Sequence, residues 1–338
     1  MNNIILTFTL TAAHFTPPQV PNSGATFMPD EPETFTQGLL YIFREAVSTL
    51  QPSLASASGI CLSLIAAVVI LSLVKSIPNA SDRVIRLIGT LAVAGLILQP
   101  ANSLIQLGVE TVRELSDYGK LLLPVMTTAA AAQGAAATSA AMYTGTVIFD
   151  AVLCTCIGEI IVPMVYIYLA LSVANSAAGE EVLGKMRDFV KWLMTWGIKI
   201  VLYVFTGYMS ITGIVSGSAD AIAVKATKLT ISGLVPVVGG ILSDASETIL
   251  VSTGMMKNAV GVYGLLAIIA VWIGPFMKIG AQYLLLKITA SVCAVFAVEQ
   301  PVKLILDFVK AMGILLAMIG SICLLLLIST VCLMKGAQ

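Results

Sequence analysis

Residues 311–334 read AMGILLAMIGSICLLLLISTVCLM, and no position in this stretch carries a charge. A helix of this length rises about 36 Å at 1.5 Å per residue. The hydrocarbon core of a bilayer is about 30 Å thick. The stretch therefore predicts a helix that crosses a membrane.

Windows with almost no charge recur along the chain at 54–74, 86–107, 145–174, 193–215, 259–277 and 279–298. Backbone groups in lipid must be satisfied within the protein, and the alternating pattern of a β-barrel is missing. We therefore predict an all-α polytopic integral membrane protein with about seven transmembrane helices, in a range of six to eight. Gly274-Pro275 leaves one alternative open, because a proline kink would make 259–298 one long helix.

The composition excludes several functional classes. Of 338 residues, 58% are hydrophobic and 11% are charged, whereas soluble domains have about 25% charged residues. Eighteen basic residues balance eighteen acidic ones, so no net charge attracts nucleic acid. The six cysteines lie in apolar stretches, where a thiol behaves as a small hydrophobe. We predict a lipid bilayer as the surroundings, no nucleic-acid partner, no disulfide and no metal site.

The N-terminal segment, 1–36, differs from the rest of the chain. Residues 1–16 are apolar but lack a basic start, and they predict a marginal signal segment. Residues 17–36 contain five prolines and three acidic residues, a composition that predicts a disordered linker. Helical spacing at 37–50 predicts an amphipathic helix along the membrane surface. We expect 37–338 to form a single multi-pass membrane domain.

Two stretches differ from ordinary spans. Residues 119–144 are rich in Ala, Ser, Thr and Gly, which let helices approach closely, so we expect this stretch to be buried in protein. Residues 217–257 form two amphipathic pieces around a centre rich in Pro and Gly. Both stretches predict amphipathic or re-entrant hairpins.

Prolines at equal spacing predict an internal repeat. Pro124 precedes Pro163 by the same distance as Pro236 precedes Pro275. Repeated halves around a central path are common in membrane proteins, and prolines placed for helix packing are the alternative. The two copies would lie near 87–176 and 199–288.

Charged residues within apolar windows are costly in lipid and are often functional. The candidates for a polar path or for helix pairing are Asp150, Glu159, Lys199 and Lys287. Asp150 and Glu159 fall on opposite faces of one helix, so they do not predict an acid–base pair. The lysines can also reach the membrane interface along their apolar stems.

The hairpin at 217–257 supplies candidate structural residues, namely Pro236, Gly239, Asp244 and Glu247. Asp244 and Glu247 are typical of a helix start, where acidic groups meet exposed amides.

No constellation for catalysis is found in the sequence. Residues 179–186, GEEVLGKM, superficially match a phosphate-binding loop, but Met186 stands where Ser or Thr should hold magnesium. His14 is the only histidine, which excludes the usual histidine-based triad. We therefore predict neither an enzyme nor a bound cofactor.

Basic residues near span ends predict the orientation. They follow alternate windows, at Lys75, Arg83, Arg86, Lys185, Arg187, Lys191, Lys278 and Lys335. With seven spans they all lie on one side, which predicts an outside N-terminus and a cytoplasmic C-terminus. With one span fewer, the two termini would lie on the same side of the membrane.

Three motifs carry a family resemblance. VPVVG at 235–239, SDASET at 243–248 and KNAVG at 257–261 resemble, in order and spacing, the stage III sporulation protein AE family. The similarity extends from about Gln37 to the C-terminus. The motifs describe shape and contain no catalytic group.

The resemblance implies a multi-pass component of the mother-cell sporulation channel or secretion-like complex, in the outer forespore membrane. It implies a structural or export-gate-like platform that supports forespore development after engulfment. The implied partners are other stage III A proteins, including a cytoplasmic ATPase and ring-forming components, and a forespore protein across the intermembrane space. The intramembrane acids leave an alternative, an ion-coupled secondary transporter that acts alone.

Overall fold

The structure, a computed structural model, describes residues 18–29, 34–76, 81–234, 239–296 and 298–335, with side chains described except at 52, 53, 82 and 213–258. No strand occurs in these ranges. In chain order the elements are α1 (Asn22–Ala25), α2 (Phe35–Ser48), α3 (Leu50–Lys75), α4 (Asp82–Ala132), α5 (Ala136–Thr155), a π-helical turn (Cys156–Ile161), α6 (Val162–Ala178), α7 (Glu181–Leu234), α8 (Gly239–Cys293), a 3₁₀ turn (Ala294–Phe296) and α9 (Glu299–Lys335).

The prediction of an all-α polytopic membrane protein is confirmed. Within the described ranges six helical stretches are long and apolar enough to span a membrane: Leu54–Lys75, Arg83–Ala132, Ala136–Ala178, Glu181–Thr212, Ala259–Phe296 and Glu299–Lys335. The windows 259–277 and 279–298 both fall in the fifth stretch, and Pro275 lies inside α8. The alternative of one long helix is therefore correct, because neighbouring helices let membrane helices accommodate proline. Six lies within the predicted range.

Glycines bring the core helices together. Gly119 of α4 lies against Leu326 of α9, and a Cβ atom at this glycine would come within 2.6 Å of the leucine side chain. Gly264 of α8 packs in the same way on Leu122 of α4, at 2.7 Å. Small residues at these crossings therefore set the spacing between α4, α8 and α9.

The small-residue stretch at 119–144 forms the end of α4, a turn and the start of α5. Ala129, Ala130 and Ala135 are almost fully buried, as the sequence predicts for this stretch. Gly134 has φ 94°, a conformation that glycine adopts without steric cost. The stretch is thus a helical hairpin with one face buried and with Lys120 and Leu121 exposed.

Residues 18–29 differ from the disordered linker that the composition predicts for this segment. Phe27 is 9% exposed and packs on α8, where the absence of a side chain at Gly274 leaves room for its ring. The Ser23 hydroxyl donates a hydrogen bond to the Glu114 carboxylate of α4. One aromatic anchor and one polar contact therefore order a stretch whose average composition is unfavourable for folding.

α2 is the amphipathic helix predicted at 37–50. Ile42 and Ala46 are buried against α8, whereas Leu40 and Phe43 on the other side are 65% and 55% exposed. The outward apolar face is typical of a helix that lies on a membrane surface, and that location stays a prediction.

Helix ends meet at one end of the bundle, which we call the basic end and which carries Lys75, Arg83, Arg86, Lys185 and Arg187. Arg86 Nε donates to the Ala177 carbonyl at 3.2 Å, and the Ser176 hydroxyl donates to the Gln300 carbonyl at 2.9 Å. α9 starts here and runs to Lys335 at the opposite end. The predicted placement of Lys335 with the other basic residues is therefore wrong, because α8 is one helix and the parity changes.

The internal repeat stays a prediction. α4 is followed by α5 and α6, and α7 is followed by α8. Pro124 lies inside α4, whereas Pro236 is outside the described residues.

Candidate functional site

A buried ionic cluster joins α6, α7 and α9. Asp307 is 2% exposed. Its Oδ2 lies 2.6 Å from Nη1 of Arg187, and its Oδ1 lies 2.9 Å from Nζ of Lys310. The Tyr168 hydroxyl lies 3.5 Å from the same Oδ1. Two cations thus compensate a carboxylate that would be costly to bury alone, and the cluster pairs the three helices.

Asp307 is not among the site residues that the sequence predicts. It lies just before the window 311–334, and its burial depends on Arg187, which is 120 positions away in the chain. The sequence feature that could have identified Asp307 is its place as the one acid in the apolar run LILDFV, with Lys310 one helical turn later.

Asp150 is buried, as expected for a residue of a polar path or of a helix pair. It is 4% exposed. The Ser116 hydroxyl of α4 donates to its Oδ2 at 2.6 Å. Its Oδ1 has no hydrogen-bond partner among the described residues. A buried acid with one open oxygen can exchange a proton, provided that water reaches it.

The other charged candidates are exposed on the outside of the bundle. Glu159 lies in the π-helical turn, where Pro163 lacks the N–H that would bond the Glu159 carbonyl in an α-helix. Lys199 is exposed, and Lys287 places its ammonium 5.8 Å from the centre of the Tyr283 ring. The structure therefore does not bring the four predicted charges together into one site.

Pairs of hydroxyl groups cross the helix interfaces. Thr146 of α5 and Ser329 of α9 lie 2.8 Å apart, and Thr90 of α4 and Ser176 of α6 lie 3.1 Å apart. All four are buried. Such pairs hold membrane helices at close range.

Exposed charges form a row on α4, at Glu110, Arg113, Asp117 and Lys120. Their spacing of three and four residues places them on one face. Lys120 Nζ lies 2.8 Å from Asp117 Oδ1. We call this surface the charged row.

A cleft of about 320 Å³ lies between α7, α8 and α9. Its wall contains Lys191, Thr195 and Lys199 of α7, Tyr283 of α8 and Lys310 of α9. We call it the lysine cleft. Lys199, one of the predicted candidates, thus belongs to a basic cavity and not to a path with Asp150.

The predicted hairpin residues are outside what the structure describes. Pro236 is not placed, and the side chains of Gly239, Asp244 and Glu247 are not described. The expected signal segment, 1–16, also lies outside the described residues.

The described residues offer no set of three His, Cys, Asp or Glu side chains that could hold a metal ion. The six cysteines are free thiols. The described contacts pair helices, present charge at defined surfaces and leave one oxygen of Asp150 without a partner.

Comparison with known proteins gives one consistent result. The family model described as Stage III sporulation protein AE matches residues 33–337. A relative, the stage III sporulation protein AE of Bacillus subtilis (strain 168), is 21% identical over 200 residues, which are 58% of this chain and 50% of that protein. The chain thus matches about half the length of this curated relative. No solved structure matches.

Proposed function

Because the chain belongs to the stage III sporulation protein AE family, we propose that it is the multi-pass membrane component of a stage III A channel or secretion-like complex. The proposed location is the outer forespore membrane of the mother cell, and the proposed role is a structural or export-gate-like platform for forespore development after engulfment. The proposed partners are a cytoplasmic ATPase, ring-forming stage III A proteins and a forespore protein across the intermembrane space.

The charged row is the observation that carries the platform role. It lies on the long helix Arg83–Ala132, just past the apolar window 86–107, and it exposes charges of both signs on one face. Glu110 and Arg113 form no ion pair within the part of the chain that is described. Such a face suits a polar partner, because each unpaired charge can meet an opposite charge on that partner. A chain that works within an assembly has such partners.

The test compares two charge-neutral double variants in sporulating cells. Glu110→Gln with Arg113→Gln removes half of the charged row. Glu181→Gln with Lys185→Gln removes an exposed pair near the basic end, with Nζ 2.9 Å from the carboxylate. We expect the first variant to reach the membrane, to lose co-purification with the ATPase and to arrest after engulfment, while the second sporulates.

Two results would contradict the proposal. Normal spores from a clean deletion of the gene would remove the sporulation role. An intact complex and normal spores with the charged-row variant would remove the platform role of that surface.

An ion-coupled secondary transporter that acts alone is the second candidate function, and the open Oδ1 of Asp150 favours it. The purified chain in proteoliposomes would then move a solute in response to an ion gradient. Asp150→Asn would abolish the flux, and Glu180→Gln, at an exposed carboxylate, would retain it. The absence of flux from the wild-type chain would count against a transporter.

The division into an N-terminal segment, 1–36, and one membrane domain, 37–338, is also a proposal. Its support is the shared core that joins α3 through α9. The contact of Phe27 with α8 shows that the segment is in part attached to that core.

A further inference from the structure

We propose that the lysine cleft binds the phosphate group of an anionic phospholipid. The site goes beyond the proposed sporulation function and does not rest on it. Three observations support it: two lysines without an ion pair, the size of the cleft and the aromatic residues beside it.

The cleft carries excess positive charge. Neither Lys191 nor Lys199 forms an ion pair with a carboxylate of the described chain. Lys310 is paired with Asp307 at 2.9 Å, and Arg187 is paired with both Asp307 at 2.6 Å and Asp188 at 2.9 Å. Lys191 and Lys199 are therefore the two cations left for an external anion.

The shape and donors of the cleft suit a phosphate group. Its volume of about 320 Å³ exceeds that of a phosphate and admits the adjoining glycerol atoms of a lipid. Each lysine offers three N–H donors, whereas phosphate oxygens act as acceptors. Gly313 of α9 and Tyr283 of α8 both line the cleft.

Aromatic residues next to the cleft place it at the edge of a membrane. Trp192 and Trp196 are 53% and 45% exposed, with ring centres 6.1 Å apart. Phe189 stacks on Trp192 at 6.0 Å. Tryptophan is enriched at the level of lipid headgroups, where one part of the ring is apolar and another is wet.

The sequences of α7 and α9 also place the cleft at the depth of the lipid headgroups. On α7, Lys191 comes just before the apolar window that starts at 193, and Lys199, inside that window, can extend its charged end toward the interface along its apolar stem. On α9, Lys310 directly precedes the window that starts at 311. A lysine at the start of an apolar window lies at the level of the lipid phosphates. Clusters of such lysines attract anionic lipids of the cytoplasmic leaflet. The cleft thus opens where phospholipid phosphates are concentrated.

The experiment uses the full-length chain in phosphatidylcholine vesicles that contain a fixed share of phosphatidylglycerol. Bromine on the acyl chains of one lipid or the other quenches nearby tryptophan. Trp192 and Trp196 report on the cleft, whereas Trp272, stacked on Phe276 at 4.2 Å, contributes a constant background. In the wild type we expect stronger quenching by brominated phosphatidylglycerol than by an equal fraction of brominated phosphatidylcholine.

Two double variants separate a site from general surface charge. Lys191→Gln with Lys199→Gln should remove the preference, since each lysine near an anionic surface contributes about fivefold in affinity. Lys185→Gln with Lys303→Gln makes the same change in charge at exposed lysines that pair with Glu181 and Glu299. This control should keep most of the preference. Circular dichroism checks that both variants are folded.

Three outcomes would overturn the proposal. The first is equal quenching by both lipids in the wild type. The second is an equal loss of preference in the two double variants, which would indicate surface charge without a site. The third is loss of the preference when inorganic phosphate, at constant ionic strength, is present at a concentration well below that of the phosphatidylglycerol, because a soluble anion would then be the preferred ligand of the cleft.

Discussion

Nη1 of Arg187 lies 2.6 Å from Oδ2 of Asp307, and this contact joins the beginning of α7 to α9. The Arg187 side chain is 13% exposed and the Asp307 side chain is 3% exposed. Neither charge is well hydrated, so both are satisfied by ion pairs: Asp307 with Arg187 and Lys310, and Arg187 with Asp307 and Asp188. The pair therefore fixes how the two helices dock.

Arg187→Gln should lower the free energy of unfolding by about 3–5 kcal/mol, because it leaves a buried carboxylate with one cation instead of two. Since Lys310 remains, we expect the lower part of this range. The measurement is the thermal unfolding midpoint of the chain in detergent. Lys185→Gln is the control, since its pair with Glu181 is exposed and contributes about 0–1 kcal/mol. Equal midpoints for the two variants would show that the buried pair does not stabilise the fold.

Gly119→Leu should destabilise the bundle by about 1–3 kcal/mol, because the new side chain would overlap buried Leu326. Gly95→Leu is the matched control on the same helix, because no heavy atom lies within 4 Å of a Cβ at that position. Chemical unfolding in detergent gives both free energies. A loss at Gly95 as large as that at Gly119 would rule out helix spacing as the cause.

Phe27→Ala should release the segment at 18–29 while the rest of the bundle stays folded. The reason is that the ring is the main apolar anchor of this segment on α8. Hydrogen exchange followed by mass spectrometry should show faster exchange in peptides from 18–29 and unchanged exchange in α9. Phe35→Ala, at a residue that is 36% exposed, should leave both unchanged. Unchanged exchange with Phe27→Ala would mean that other contacts hold the segment.

Positions 180 and 335 should lie on opposite sides of the membrane, because the basic end is expected to be cytoplasmic. The variants are Glu180→Cys and Lys335→Cys in a chain without its six native cysteines. A membrane-impermeant maleimide should label Cys at 335 in intact cells, and at 180 only after the cells are opened. If both positions were labelled under the same condition, they would lie on the same side of the membrane, which would contradict α8 being one helix.

The sequence was sufficient to predict the helical membrane fold, because windows such as 311–334 admit one structure in lipid. The sequence did not decide whether the helix ends or continues at Pro275, since proline ends helices in water but also occurs inside helices in membranes. The packing of Phe27 was not predictable, because it depends on a recess at Gly274, far along the chain.

Individual charges were harder to interpret than spans. Asp150 was identified from its place in an apolar window, and it is buried. Glu159 has the same signal but faces outward, because the face of a helix that packs depends on its neighbours. Asp307 was missed because its partner, Arg187, is distant in sequence and near only after folding.

The π-helical turn at Cys156–Ile161 inserts one extra residue between two interfaces that lie on the same continuous helix. On the near side Asp150 meets Ser116, and on the far side Tyr168 meets Asp307. A π-helical turn holds one more residue than an α-helical turn, so deleting one residue would let it close as an α-helix, with Tyr168 still facing Asp307 and Asp150 still facing Ser116. The wide turn therefore accommodates an additional residue without changing which neighbour each part of the helix contacts.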